Sequence, residues 1–354
     1  MSETAVATVS KSMAAEASSA HARINIPLNL ANWESLPEEV REDLLWFHQH
    51  ILDKHLSYKE AQEALNYDET TVFRILKGTY EGSWKNVCAA IAGYKRIVET
   101  RGTIQKTEFA KNGIFDLVKG GLDYALANNS ITLIIGESRM GKTACTLAWR
   151  NENNHGTSVY MVAPPIGGAS AFMRRLTEAI GVNKNQSLPQ KLDAVARAFN
   201  KNRILIVDEA HRLLPGDRRS NPTLLETLRD LHDMTHCALA LIATQRFSDN
   251  LQGSHYQFEQ LLGRIGMPVR LRRKIPESDF RPIIQQYIRH PSGKLMAQCA
   301  EIANAPGRLG ILVETFKVGS RIASKAKGKL DEEHIFKAIA LRRQMMGETM
   351  YAKT

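Results

Sequence analysis

An apolar run directly before a glycine-rich turn constrains this chain more than any other feature. Residues 136–143 read Gly-Glu-Ser-Arg-Met-Gly-Lys-Thr, and the run before them, Ile131–Ile135, reads Ile-Thr-Leu-Ile-Ile. A buried strand that enters such a turn and continues as a helix is the setting that the GxxxxGK[ST] phosphate loop requires. Gly136 and Gly141 permit backbone angles and a close approach that a side chain would block. The sequence therefore predicts an α/β fold that binds a nucleoside triphosphate.

The phosphate loop assigns roles to individual residues. Its backbone N–H groups and the N-terminus of the following helix face the phosphate oxygens. Lys142 can reach the β- and γ-phosphates, and the Thr143 hydroxyl can bind Mg²⁺. The predicted nucleotide-binding residues are Gly136, Glu137, Ser138, Arg139, Met140, Gly141, Lys142, Thr143 and Ala144.

A second apolar run ends in two carboxylates. Residues 203–207 read Arg-Ile-Leu-Ile-Val, and Asp208 and Glu209 follow. A strand buried on both faces has such a composition, and ligands bind beyond the carboxyl ends of parallel strands. Asp208 is expected to hold Mg²⁺, directly or through water, and Glu209 to polarise the water that attacks the γ-phosphate. The sequence contains no Asn-Lys-x-Asp loop for reading guanine, so ATP is the expected nucleotide and its hydrolysis the expected reaction.

Apolar runs alternate with helical patterns over the middle of the chain. Such alternation predicts a mostly parallel sheet with helical crossovers. The predicted strands are 131–135, 158–163, 203–208, 238–243 and 267–271, and the predicted helices are 142–150, 169–181, 188–200 and 222–233. The acidic pair falls on the third strand, so an extra strand should separate it from the phosphate-loop strand. In this arrangement the chain resembles the AAA+ and RecA-like ATPases.

The end of the chain shows helical patterns alone. The predicted helices there are 277–289, 292–304, 307–323 and 331–346. A small helical domain after an α/β core resembles the lid of an AAA+ ATPase. The resemblance implies a three-layer AAA+ core with a parallel five-stranded sheet at residues 101–275 and a C-terminal helical lid at residues 276–354.

The AAA+ resemblance implies further functional residues. A polar residue at the end of the fourth strand would touch the attacking water or the γ-phosphate, and Thr244 or Gln245 would serve here, unless they are an ordinary polar pair at a strand end. Arg264 stands where AAA+ proteins carry an arginine that reaches the γ-phosphate of a neighbouring subunit, although a surface arginine is the alternative. Gly310 occupies the place of the usual second-sensor arginine, which leaves Arg308 as the nearby candidate.

Composition sets the remaining boundaries. Residues 1–22 are rich in Ser and Ala and are predicted to be a disordered tail, and residues 23–100 form a helical N-terminal domain followed by a polar linker at 100–106. The sequence has neither the roughly 20-residue apolar stretch of a membrane span nor a secretion signal, so the cytoplasm is the expected compartment. The formal net charge of +10 favours a polyanionic partner.

Residues 57–82 have helix-turn-helix spacing. Asn66 tolerates the left-handed conformation of a turn, and Asp68 can cap the helix that follows it. A helical hairpin used only for packing would show the same pattern. If the segment enters a major groove, the residues expected to contact DNA are Lys59, Thr70, Thr71, Arg74 and Lys77.

In their order along the chain, these motifs resemble the AAA+ target-selection ATPases of DNA transposition, the family typified by the phage Mu B protein. The resemblance rests on Thr-Tyr-Glu-Gly at 79–82, on the phosphate loop, on Val-Asp-Glu-Ala at 207–210 and on Pro-Gly-Arg-Leu-Gly-Ile-Leu at 306–312. Residues 225–233 are also similar to the related ATPases of cut-and-paste bacterial transposons.

The resemblance implies a concrete function. Members of this family bind ATP and Mg²⁺, polymerise on double-stranded DNA with little sequence preference and present that DNA to a DDE-type transposase, which in turn promotes ATP hydrolysis and release. The implied partners are therefore double-stranded DNA, further copies of this chain and a DDE transposase, with no membrane.

Two other functions fit the same motifs. One is a replication initiator or helicase loader of the AAA+ class, which would use a similar basic surface. The other is a sequence-specific regulator whose ATPase core controls only oligomerisation. One defined DNA footprint would favour the regulator, whereas uniform coverage that lengthens with protein concentration would favour the target-selection ATPase.

Overall fold

The computed structural model describes residues 33, 35–102, 108–153, 156–166, 168–182, 187–214, 223–253 and 255–346. The chain divides into two compact units, Met1–Ile104 and Gln105–Thr354. The predicted tail at residues 1–22 and most of the predicted linker at 100–106 lie outside the described residues. The predicted division of the second unit into a core and a lid at residue 275 stays a prediction.

The described part of the first unit is helical. Its helices are α1 (Glu38–Lys54), α2 (Tyr58–Leu65), α3 (Glu69–Lys77) and α4 (Trp84–Gly102). Asn66 ends α2 in the left-handed conformation with a φ of 57°, and the Asp68 carboxylate caps α3 by accepting a hydrogen bond from the N–H of Thr71 at 3.0 Å. The apolar faces of α2 and α3 pack with α1 and α4 in one core. Both expected helices are therefore present, and their use as a DNA-binding helix-turn-helix stays a prediction.

The second unit is built on a five-stranded sheet in which every strand pairing is parallel. The strands are β1 (Ile131–Ile135), β2 (Ser158–Val162), β3 (Ile204–Asp208), β4 (Ala238–Ala243) and β5 (Ile265–Arg270). Their order is β2-β3-β4-β1-β5, so β4 separates the acidic strand β3 from the phosphate-loop strand β1. The predicted parallel α/β sheet and its extra strand are confirmed.

Helices cover both faces of this sheet. They are α5 (Gly113–Asn128), α6 (Lys142–Glu152), α7 (Gly168–Ala179), α8 (Leu188–Ala198), α9 (Thr223–Thr235), α10 (Gln245–Gly253) and α11 (His255–Leu262), with a short 3-10 helix, Ala210–Leu213, after β3. Successive residues of a strand face opposite sides of a sheet. Ile134 of β1 accordingly packs in the core with α5 and α6, whereas Leu133 and Ile135 pack in the core with α7 to α11. The unit therefore has three layers.

Helix α5 was not expected from the sequence, because Gly120 and Gly121 weaken its helical pattern. The structure shows why glycine is needed at position 121. A β-carbon at this position would lie 2.7 Å from Cγ2 of Val269 and 3.2 Å from Oγ1 of Thr132. Glycine therefore lets α5 approach the sheet closely. The same glycine weakens the helical sequence pattern from which the helix could have been predicted.

The last described part of the second unit consists of helices that pack on the α5 and α6 side of the sheet. They are α12 (Glu277–Gln285), α13 (Gly293–Asn304), α14 (Arg308–Lys325) and α15 (Glu332–Met346), called the C-terminal helices below. Phe280, Leu295, Phe316 and Ile335 of these helices are buried in the same core as α5 and α6. None of the described helices combines the length and the apolar character that a bilayer crossing requires.

Candidate nucleotide-binding site

The phosphate loop leaves the carboxyl end of β1 in a turn that depends on two glycines. The Gly136 N–H donates a hydrogen bond to the Ala243 carbonyl at 3.3 Å, and a β-carbon on Gly136 would lie 2.9 Å from Cδ1 of Leu271. Gly141 has a φ of 94°, a conformation that residues with a side chain rarely adopt, and α6 begins directly after it. The loop geometry thus requires glycine at both positions.

A cavity of about 520 Å³ lies over this loop. The loop and the first residues of α6 form one side of it, from Ser138 to Cys145, and Glu209 and Thr244 reach it from the ends of β3 and β4. The carboxyl ends of three neighbouring strands therefore converge on one cavity, which is where ligands bind in parallel α/β sheets.

Lys142 is held inside the loop by carbonyl oxygens. Its Nζ donates to the carbonyls of Gly136 and Glu137, both at 2.8 Å. Burial lowers the pKa of Lys142, and the nearby carboxylates of Asp208, Glu209 and Glu137 oppose that shift. This half-buried ammonium, hydrogen-bonded to two neutral carbonyls, would gain a charged hydrogen-bond partner by exchanging a carbonyl for a phosphate oxygen.

Asp208 and Thr143, the two predicted Mg²⁺ ligands, are in direct contact. The Thr143 hydroxyl donates to Oδ2 of the buried Asp208 carboxylate at 2.6 Å, while Oδ1 accepts the Glu209 N–H at 2.8 Å. Hydroxyl and carboxylate oxygens are the hard ligands that Mg²⁺ prefers. The donor set therefore fits this metal, and both side chains could turn towards an ion placed between them.

Tyr160 of β2 is a site residue that the sequence did not reveal. Its hydroxyl donates to Oδ2 of Asp208 at 3.0 Å, the same oxygen that Thr143 contacts. Burial first, and then the Asp208 carboxylate, raise the pKa of Tyr160, so the phenol stays protonated and remains a donor. A single tyrosine in a short, mostly apolar strand offered no pattern, because the contact depends on the pairing of β2 with β3.

Replacing Tyr160 with Phe is expected to weaken Mg²⁺-dependent nucleotide binding roughly tenfold, because a residue that orients a metal ligand contributes to metal affinity at about that level. A Mg²⁺ titration at fixed concentration of a fluorescent ATP analogue measures the effect. Tyr124→Phe, an exposed tyrosine of α5, is the matched control. An unchanged Mg²⁺ dependence in Tyr160→Phe would remove Tyr160 from the site.

Glu209 carries a strained backbone at the edge of the cavity. Its φ of 56° is left-handed, a conformation that residues with a side chain maintain mainly where function or packing imposes it. Its Oε2 lies 3.4 Å from Nε2 of His211 and 3.6 Å from a terminal nitrogen of Arg212. Arg212 also donates to the Ala163 carbonyl at 3.1 Å. The predicted general base thus reaches the cavity and is oriented by two basic side chains.

The side chains of the two polar residues after β4 lie in different surroundings. Thr244 lines the cavity with Glu209, whereas the Gln245 amide donates to Oδ1 of Asp249 at 3.0 Å on the exposed side of α10. Of the pair, Thr244 is therefore the one placed to contact a bound phosphate or the attacking water.

Arg264 lies away from the cavity of its own chain. It precedes β5 at the end where Ile265 pairs with Ile131, which is the edge of the sheet opposite the phosphate loop. Its guanidinium binds the Asp233 carboxylate through two hydrogen bonds of 2.9 and 3.2 Å. Hydrogen bonding to Arg264 lowers the pKa of Asp233, so this exposed ion pair is charged.

Arg308 and Gly310 lie in the first turn of α14. Arg308 donates to the Arg273 carbonyl at 2.6 Å, and Gly310 lines the cavity. Gly310 and its neighbour Leu309 therefore face the site in this turn, whereas Arg308 is not among the cavity-lining residues.

The other end of the cavity is formed by residues that the sequence did not single out. They come from the segment before α5, from α6, from α12 and the residues directly after it, and from α14, and include Phe109, Asn112, Leu147, Ile283, Gln286, Tyr287, Leu309 and Val313. The Gln286 amide donates to the Glu108 carbonyl at 2.7 Å and so ties the end of α12 to the segment before α5. This mixed apolar and polar end has the character of a pocket for a nucleotide base. No local motif marks it, because its residues are far apart in the sequence.

The candidate DNA-contacting residues lie in the first unit on α2 and α3. Lys59, Thr70, Arg74 and Lys77 are exposed, and the Lys77 ammonium lies 4.5 Å from the centre of the Phe73 ring. Thr71 is half-buried, and its hydroxyl donates to Oδ2 of Asp68 at 2.6 Å. Thr71 therefore takes part in capping α3, and a DNA contact through its hydroxyl would have to replace that bond.

Part of the second unit matches a known kind of domain. Residues 126–251 match a family model described as an AAA domain. No curated protein sequence matches the chain.

Among solved structures, the ORC2 protein of Aeropyrum pernix, in its ADPNP–ADP complexes, is similar over 68% of this chain and 71% of its own, with a TM-score of 0.51 and 14% identity. Domain III of the Thermotoga maritima replication initiation protein DnaA is similar over 67% of this chain and 98% of its own, with a TM-score of 0.45 and 15% identity.

The second unit therefore contains an AAA domain on a parallel five-stranded sheet, and its architecture is the AAA+ P-loop ATPase fold. The domain match supports nucleotide binding and ATPase activity in general terms.

Proposed function

We propose that this chain is an ATP-dependent DNA-binding protein that assembles on double-stranded DNA and delivers that DNA to a DDE transposase, with ATP hydrolysis driving disassembly. One observation carries the ATPase part of the proposal. Lys142, the Thr143–Asp208 pair, Glu209 and Thr244 converge on a single cavity, although they come from three different strand ends. That convergence supplies a phosphate cradle, a metal-binding pair and a general base together.

The proposed reaction follows from these positions. The loop N–H groups and Lys142 bind the phosphates, and Lys142 exchanges its contacts with the Gly136 and Glu137 carbonyls for phosphate oxygens. Mg²⁺ held by Thr143 and Asp208 would neutralise charge on the β- and γ-phosphate oxygens. Glu209 accepts a hydrogen bond from the attacking water and aligns it with the γ-phosphorus. Thr244 contacts the same water or the γ-phosphate.

The position of Arg264 supports a role in a neighbouring subunit. Strands β1 and β5 separate it from its own phosphate loop by about 15–20 Å at roughly 3.3 Å per residue, which is too far for an arginine side chain. Its guanidinium is exposed and binds Asp233 of the same chain, a contact that it would exchange for a phosphate oxygen of the neighbouring subunit's nucleotide. We infer that Arg264 completes the ATP site of an adjacent copy, so that hydrolysis depends on assembly.

The DNA-binding part of the proposal rests on charge and on exposed residues. The chain carries a net charge of +10, and Lys59, Thr70, Arg74 and Lys77 are exposed on α2 and α3. Contacts of this kind with the phosphate backbone position a protein without reading the sequence. The role in transposition, in a bacterial cytoplasm, rests on the motif resemblance described above. The likeness to ORC2 concerns the fold and does not separate this role from replication initiation.

Electron microscopy and footprinting on long duplex DNA test the proposal. With a non-hydrolysable ATP analogue and Mg²⁺, we expect continuous coats that lengthen with protein concentration and protect DNA without a preferred site. Because phosphate contacts dominate, raising the salt from about 50 to 200 mM should weaken binding roughly a thousandfold if each bound unit makes six or more contacts.

Other outcomes would point elsewhere. One defined footprint that does not grow would favour the sequence-specific regulator or the initiator. If the protein binds neither nucleotide nor DNA and stays monomeric, the proposal is excluded. If its affinity for DNA does not depend on salt, contacts with the phosphate backbone do not dominate binding.

A further inference from the structure

Arg139 adopts a backbone conformation that suits glycine. It is a loop residue with a φ of 61°, in the left-handed region where a β-carbon is unfavourable. A residue with a long side chain persists in such a conformation where surrounding contacts impose it or function requires it. The phosphate loop therefore maintains an arginine at a position where glycine would be easier to accommodate.

Gly310 of α14 faces Arg139 and has the opposite property. A β-carbon built on Gly310 would lie 2.5 Å from Nε, 3.1 Å from Cβ and 3.2 Å from Cζ of Arg139. The arginine side chain thus folds across the glycine, and a larger residue at 310 would displace it. Arg139 therefore occupies a backbone conformation that favours glycine. It lies against Gly310, where any side chain would collide with it.

A backbone hydrogen bond joins the same two residues. The Gly310 N–H donates to the Arg139 carbonyl at 3.1 Å. Gly310 is in the first turn of α14, where N–H groups have no partner within the helix. The Arg139 carbonyl of the phosphate loop thus supplies a hydrogen-bond acceptor for the start of α14. A movement of the loop would therefore change this hydrogen bond.

The Arg139 guanidinium is available to a ligand. Arg139 is exposed and lines the cavity, and its side chain makes no hydrogen bond or ion pair with any residue that the structure describes. A planar guanidinium can bind phosphate oxygens through two parallel hydrogen bonds. The neighbouring Glu137, in contrast, already binds Arg273 at 3.3 Å.

We propose that Arg139 binds the phosphates of the nucleotide from within the loop and couples their presence to the C-terminal helices through Gly310. When phosphate oxygens bind the guanidinium, the side chain is fixed across Gly310 and the Arg139 carbonyl holds the Gly310 N–H. Loss of the γ-phosphate weakens both contacts and loosens the start of α14. This inference rests on the proposed binding of ATP in the same cavity.

The test compares binding of a non-hydrolysable ATP analogue and of ADP, each with Mg²⁺, in the full-length chain and its variants. Hydrogen exchange of the Gly310 amide, measured with and without nucleotide, reports the coupling directly. In the wild type, the ATP analogue is expected to slow this exchange more than ADP does.

Arg139→Gly is the decisive variant, because glycine accepts a φ of 61° and the fold should be kept. We expect its affinity for the ATP analogue to fall roughly tenfold or more, as for a lost charged hydrogen bond, and the nucleotide-dependent slowing at Gly310 to disappear. Arg139→Lys keeps the charge without the planar fork and should recover part of the affinity.

Gly310→Ala tests the other partner. It should reproduce the binding defect in the wild-type background and add nothing in Arg139→Gly. Gly120→Ala is the matched control, because a β-carbon on that helical glycine meets nothing within 4 Å.

The outcomes separate this inference from the function on which it rests. If Arg139→Gly binds the ATP analogue and slows Gly310 exchange like the wild type, or if the defects of the two variants simply add, the coupling is wrong and ATP binding stands. If the wild type binds no nucleotide, both proposals fail.

Discussion

Lys142→Ala is expected to abolish ATP binding at micromolar concentrations and, with it, every nucleotide-dependent property of the chain. The Lys142 ammonium is the loop's own cation, and its two 2.8 Å contacts with the Gly136 and Glu137 carbonyls place it where phosphate oxygens would bind. Charged hydrogen bonds of this kind contribute about 1.5–3 kcal/mol each, so losing two of them should weaken binding at least a hundredfold. Titration with a fluorescent ATP analogue measures the loss.

DNA binding distinguishes the role of Lys142 from a general loss of positive charge. Lys201 is exposed just before β3, at the edge of the sheet opposite the phosphate loop, and Lys201→Ala removes the same charge without touching the cavity. We expect Lys201→Ala to bind nucleotide normally and Lys142→Ala to lose ATP-dependent DNA binding while it keeps its secondary structure and melting temperature. If Lys142→Ala still coats DNA only when ATP is present, Lys142 does not have the role assigned to it.

The sequence predicted the parts of this molecule that are contiguous. The strand, the glycine turn and the helix of the phosphate loop lie within 22 residues, from 131 to 152, and the run that ends at Asp208 is equally local. Apolar runs and glycines were therefore sufficient to predict both motifs. The strand between β1 and β3 was also predicted, because the acidic pair falls on the third strand, whereas the places of β2 and β5 in the sheet were not predicted.

The sequence could not predict contacts that depend on tertiary packing. Tyr160 reaches Asp208 only because β2 pairs with β3, and Phe109 and Tyr287 share a cavity although their positions in the chain are far apart. Helix α5 was missed because Gly121, which lets the helix pack closely on the sheet, also weakens its helical pattern. The contact between Arg139 and Gly310 could not be predicted either, because the two residues are far apart in the sequence and no local pattern links a loop arginine to a helix glycine.

Glu209→Gln is expected to separate ATP binding from hydrolysis. Glutamine keeps the size and shape of the side chain and removes the negative charge that orients and polarises water. General-base groups typically contribute 10²–10⁴-fold, so the rate of phosphate release should fall by at least about a hundredfold. Affinity for ATP should change little, because Lys142, Thr143 and Asp208 are intact.

Asp208→Asn should instead weaken Mg²⁺-dependent nucleotide binding, because Asp208 belongs to the metal-binding pair.

The Glu209→Gln variant also tests the link between hydrolysis and release from DNA. If hydrolysis drives disassembly, Glu209→Gln should form coats with ordinary ATP that last as long as wild-type coats formed with a non-hydrolysable analogue. Dissociation after dilution, followed by fluorescence anisotropy of labelled duplex, measures their lifetime. Phosphate release at the wild-type rate would exclude Glu209 as the general base. Slow hydrolysis together with rapid dissociation would leave Glu209 as the base and show that release from DNA does not depend on hydrolysis.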